Sequence, residues 1–187
     1  MPRHTGSVLV DTNVILECWR VGSWRALAGG YSLQTVEDCV TETQTGFQRR
    51  RAEQRIDAAV LRQSLAGVHD VSAAQLAAAI VRDETISFLD VGERSLWAHA
   101  LARTDAWVLC GPDRASLQFG IRLGFRDRLV ALERLLTDVG HRRPAVRPFG
   151  WRPSPPRPCC CVGRASIRLR SSPPAEPCSG WERCGKF

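Results

Sequence analysis

Residues 7–10, "SVLV", form an apolar run of β-forming side chains that stops abruptly at Asp11, Thr12 and Asn13. A short apolar run bounded by small polar residues predicts a buried strand, with the polar trio capping whatever follows. "VILECWR" (14–20) then places apolar residues at helical intervals, and "GSWRALAGG" adds a short helical turn stopped by glycines. "YSLQTV" (31–36) predicts a second strand. Thr35 and Asp38 have capping-box spacing and would open a helix "EDCVTETQ", with Gly46 stopping it.

Further on, "QRRRAEQRIDAAVLRQSLA" (48–66) sets Ile56, Ala59, Val60 and Leu65 on one stripe, so one amphipathic helix is expected there. Arg49, Arg50, Arg51 and Arg55 would form its solvated face. "VHDV" (68–71) is a short third strand, Ser72 caps a helix "AAQLAAAIV", and "TISFL" (85–89) is read as an extended connector. The segment 89–104, "LDVGERSLWAHALART", predicts a helix with Leu96, Trp97, Ala100 and Leu101 facing inward. "AWVLCGPD" (106–113) repeats the opening design: apolar residues, a turn, then an Asp. Helices "RASLQFGIRLG" and "DRLVALERLLTDVG" follow. Strand and helix alternate throughout, which predicts an α/β fold: a mostly parallel central sheet flanked by helices, as in an α/β/α sandwich.

Composition changes this picture mainly at the C-terminus. The net charge of +7 suggests nucleic acid, but residues 1–143 hold 18 Arg against 17 Asp and Glu, whereas 144–187 hold 7 Arg and 1 Lys against 2 Glu. The basic excess therefore belongs to a tail rich in Pro, Arg and Cys, expected to be disordered, behind a single domain over 1–143. Cys18, Cys39 and Cys110 lie on apolar stretches and read as inert core residues, and the five later cysteines match no common zinc spacing. With no apolar run of membrane-spanning length and no signal-peptide pattern, a cytoplasmic protein without membrane contact is expected.

The candidate chemistry is carboxylate. In an open parallel sheet a ligand site lies off the carboxyl ends of the strands, where strand order reverses, and Asp11 and Asp113 each follow a strand. Glu42 and Glu93 lie on helices that could join them. Glu37 and Asp38 compete with Glu42, and Asp90 with Glu93, although Asp90 is accounted for by a helix cap and Val36, Cys39 and Val40 turn Glu42 toward the buried face. Two carboxylates about 4 Å apart repel by roughly 4 kcal/mol at an effective dielectric near 20, so such a cluster must protonate or bind cations. Hard oxygen ligands select Mg²⁺ or Mn²⁺, whose natural substrates are phosphate esters. An aspartyl-nucleophile phosphatase would require a second Asp at position 13, where this chain has Asn13.

"VLVDTNVIL", "LQTVEDCVTET", "LDVGERSLWAHAL" and "VLCGPDRASLQFGIRLGF" together resemble, in order and spacing, the four segments of the PIN-domain family, over about residues 7–138. Pro112 departs from the small polar or acidic residue often found there. The resemblance implies a metal-dependent endoribonuclease, a hydrolase that in many bacteria is the toxin of a toxin–antitoxin pair. It implies Asp11, Glu42, Glu93 and Asp113 as catalytic, metal-binding acids for Mg²⁺ or Mn²⁺, with Asn13 orienting Asp11 or a bound water. RNA is then the substrate, and an antitoxin protein or a second copy of the chain a partner. The alternative is a catalytically incomplete PIN-like module that binds RNA or a protein.

Overall fold

The computed structural model describes residues 4–45, 55–111 and 113–141. Gly46, the Arg49–Arg51 run, Pro112 and the tail from Pro144 lie outside the described residues. In chain order the elements are β1 (Ser7–Val10), α1 (Thr12–Arg20), α2 (Trp24–Ala28), β2 (Ser32–Val36), α3 (Glu37–Gln44), α4 (Ala58–Ser64), β3 (Gly67–His69) and α5 (Ala73–Arg82). There follow a 3-10 turn (Glu84–Phe88), α6 (Val91–Ala102), β4 (Trp107–Cys110), α7 (Arg114–Arg122), a second 3-10 turn (Arg126–Arg128) and α8 (Leu132–Asp138).

The four strands form one all-parallel sheet in the order β3-β2-β1-β4. The fold is thus α/β with helices flanking a parallel sheet, as the alternation predicts. Central β1 is apolar without alternation because both its faces are covered. Val8 and Val10 join a core with Ile15, Trp24, Leu27, Leu61 and Leu135, while Leu9 joins the opposite core with Leu96, Trp97, Leu109 and Phe119. The chain runs outward from β1 through β2 to β3 and then returns to place β4 on the other side of β1. The switch point of the sheet lies between β1 and β4, at the ends followed by Asp11 and Asp113.

Several local expectations fail for identifiable reasons. Thr35 does not cap α3: it is buried in β2, its hydroxyl donates to the Val10 carbonyl at 2.7 Å, and the helix starts after Val36 without a side-chain cap. The described part of the expected 48–66 helix begins only at Ala58, where Asp57 caps α4 through the Ala59 and Val60 amides. Its buried face is Leu61 with Leu65, and Ile56 packs from ahead of the helix, whereas Val60 is 52% exposed. "TISFL" is largely a 3-10 turn, not an extended connector. The last helix is shorter than its apolar period suggests because Leu129 leaves to run beside β4, where the Val130 amide donates to the Leu109 carbonyl at 3.0 Å.

Gly120 marks the tightest packing in the second core. A Cβ there would stand 2.5 Å from Trp97 Cη2 and 2.6 Å from Cζ2. The indole cannot easily retreat, since it is fully buried, donates from Nε1 to Ser116 Oγ at 2.8 Å and packs edge-on to Phe119 and Trp107. Gly→Ala gains about 1 kcal/mol of helix propensity, but overpacking a fixed core costs about 1–3 kcal/mol. Gly120→Ala should therefore destabilise the protein by up to about 2 kcal/mol net. An unchanged midpoint in chemical denaturation would show that Trp97 gives way freely.

Candidate active site

The apolar run that opens the chain ends on Asp11 because the residue serves two purposes at once. Its backbone N–H continues the sheet by donating to the Cys110 carbonyl at 3.2 Å, and its side chain caps α1 by accepting from the Asn13 amide, also at 3.2 Å. Asp113 does the same for α7, accepting from the Ala115 and Ser116 amides at 2.6 and 3.4 Å. Asp90 caps α6, accepting from the Glu93 amide at 2.9 Å. Capping and clustering are therefore compatible: the positive ends of three helices carry the acids and offset part of their charge.

Glu93 lies among these caps. Its side chain is 5% exposed, and its pKa is pushed up to about 8 by burial first, then by Asp90, Asp11, Asp113 and Glu42. Asp11, 3% exposed, is raised to about 6, chiefly by burial, with Asp90 and Glu42 adding to it and the Asn13 and Thr12 amides opposing. Glu42 reaches the group from the last turns of α3. Thr12 Oγ1 donates to its Oε2 at 2.7 Å and the Gly92 amide to its Oε1 at 2.8 Å. The structure thus brings Asp11, Glu42, Glu93 and Asp113 into one electrostatic neighbourhood, with Asp90 as a fifth member.

The competing acids near Glu42 are engaged elsewhere: Glu37 pairs with Arg62, and Asp38 accepts from Ser95. The side chain of Asn13 is exposed, and the bond to Asp11 comes from its backbone. Thr12 and Gly92 escaped the sequence reading as site residues, and Asp90, weighed there as a rival to Glu93, acts on Glu93 beside it. Thr12 stood in the quoted "DTN", and Gly92 directly precedes Glu93, so both were visible but without a partner.

The causes that shift the Glu93 pKa all raise it, and the carboxylates among them offer hard oxygen donors. That chemistry fits Mg²⁺ or Mn²⁺. Among the described residues, however, no group of three or more His, Cys, Asp or Glu side chains is placed to hold a metal ion. The carboxylates stand as neighbouring charges rather than as a finished shell. A groove of about 390 Å³ opens at the opposite, amino-terminal end of the strands, lined by Gly6, Ser7, Ser32 and Asp105. It has no convergent acids, and the switch-point rule favours the Asp11 end.

No helix among the described residues is long and apolar enough to cross a membrane. The sequence matches no protein-family model and no curated protein.

Proposed function

We propose that this protein is a PIN-like endoribonuclease dependent on Mg²⁺ or Mn²⁺, with Asp11, Glu42, Glu93 and Asp113 as the metal-holding acids. The observation that carries the reading is the gathering of Asp11, Glu42, Asp90 and Asp113 around buried Glu93 near the switch point of the sheet, which raises its pKa. What a hard divalent cation supplies in such a site is neutralisation of phosphate charge and a more acidic water. The chain's own residues prepare that chemistry. Thr12 and the Gly92 amide hold Glu42 in place, the Asn13 amide orients Asp11, and the acids supply acceptors that align a water beside a phosphodiester.

Full-length protein should cleave an unstructured RNA when Mg²⁺ or Mn²⁺ is added and stop when the cation is chelated. Absence of cleavage with either cation would overturn the nuclease. The open spacing of the carboxylates favours one rival, a module that holds RNA without cutting it. RNA retained intact under the same conditions would support that rival.

Gly92 offers a second test because a Cβ at that position would fall on the carboxylate of Glu42. The carboxylate ends a flexible side chain, so it can swing aside at little cost to the fold. Gly92→Ala should change stability by less than about 1 kcal/mol while reducing cleavage by roughly 10²-fold, the typical penalty for misplacing a catalytic group by about 1 Å. Paired measurements of thermal unfolding and initial rate would separate the two effects, and an unimpaired rate would remove Glu42 from the site.

A further inference from the structure

We infer that Phe88 is a nucleobase-stacking residue that positions single-stranded RNA beside the acid cluster. The inference rests on the nuclease reading for the location of the reacting phosphate. Phe88 ends the first 3-10 turn and is 85% exposed, which leaves its aromatic face accessible for stacking on a base. The next residue, Leu89, has extended backbone (φ −75°, ψ 154°) and is 7% exposed. Phe88 and Asp90, on either side of it, are both exposed, while Leu89 anchors the segment in the core.

Their Cα atoms are at most about 7 Å apart, and Asp90 is the strongest charge acting on Glu93 after burial. One nucleotide spans that distance, so a base stacked on Phe88 would bring an adjacent phosphate toward the acids. Val91, next to Asp90, is 51% exposed. Arg114, exposed and directly following Asp113, offers a cation for a flanking phosphate across the cluster. An aromatic platform beside a backbone-binding cation is the usual equipment of single-strand binding, and stacking tolerates any base because each has a π face.

The test uses the full chain and a short single-stranded oligoribonucleotide carrying 2-aminopurine at successive positions, titrated in a calcium buffer. One position should lose fluorescence on binding. Phe88→Ala should abolish that quenching and weaken binding about tenfold, whereas Phe88→Tyr should preserve both. Since the ring is 85% exposed, neither variant should disturb the fold, and thermal unfolding checks this. Arg114→Ala should weaken binding and lower the salt slope by about one. Unchanged affinity and quenching in Phe88→Ala, or no RNA binding by the parent chain, would overturn the proposal. So would a change of oligomeric state without a change in RNA binding, which would assign the ring to contact between copies. Quenching that depends on Phe88 in a protein that never cleaves RNA would retain the stacking role and sink the nuclease instead.

Discussion

Replacing Asp11 by Asn is expected to abolish cation-dependent RNA cleavage while leaving the fold at least as stable as the parent. The side chain is nearly the same shape, and an Asn oxygen can still accept the Asn13 amide as an N-cap, so α1 keeps its start. The charge is what changes. Burial raises the Asp11 pKa from 3.8 to about 6, so at neutral pH the ionised group costs the cation-free folded chain up to about 3 kcal/mol relative to the unfolded chain. Asn avoids that cost and removes one repulsive neighbour of Glu93. Cation binding loses a charged ligand at the same time. Thermal unfolding in chelator and RNA cleavage in Mg²⁺ measure the two sides; parental cleavage, or unfolding at a clearly lower temperature, would remove Asp11 from the assignment.

The second large effect is a stability that declines as pH rises through neutrality. Glu93 is raised from 4.5 to about 8, so between these values the folded chain holds a proton that the unfolded chain has released. The unfolded state then binds fewer protons, and stability falls with increasing pH, by up to about 1.4 kcal/mol per pH unit for one proton. Below 6.5 the lowered pKa values of His99 and His69 act in the opposite sense, because acid must charge imidazoles that burial keeps neutral. The informative window is therefore 6.5 to about 8. Chemical denaturation in chelator should show the decline there, Glu93→Gln should flatten it, and Mg²⁺ should flatten it by supplying the missing positive charge. A flat profile for the parent in chelator would show that Glu93 does not titrate in this way.

How much of this was legible in the sequence depended on whether the relevant physics is local. β1 and β4 were readable because a strand covered on both faces must be apolar throughout, and a carboxylate ending such a run stands out. The capping roles of Asp90 and Ser72 were readable from spacing, and the Ser72 capping box with Gln75 is present. Thr35 was misread because the partner of its hydroxyl, the Val10 carbonyl, lies on another strand. Within the expected 48–66 helix, residues 55–57 are not helical; an amphipathic period does not reveal that Asp57 caps and starts α4. Glu42 could be preferred to Glu37 only on the pattern of its apolar neighbours. The physical reason that Glu37 is engaged elsewhere, its pairing with Arg62, is a contact between two helices. Thr12 and Gly92 lay inside quoted motifs, but their partner could not be read locally, since what they hold is a carboxylate contributed by a third helix.

The pairing of β1 with β4 also sets an order of events during synthesis. Ser7 lies opposite Trp107 and Val10 opposite Cys110, so the first strand of the chain acquires its second neighbour only after most of the domain has been made. At ~5–20 residues per second, translation from Asp11 to Asp113 takes on the order of 5–20 s. Throughout that interval Asp11 and Glu42 exist without Asp113, and the end of β1 has no Cys110 carbonyl to bind the Asp11 amide. The end of β1 therefore gains its second neighbour, and Asp11 its companion Asp113, only once β4 has emerged and docked, so the acid cluster assembles late in the making of the domain.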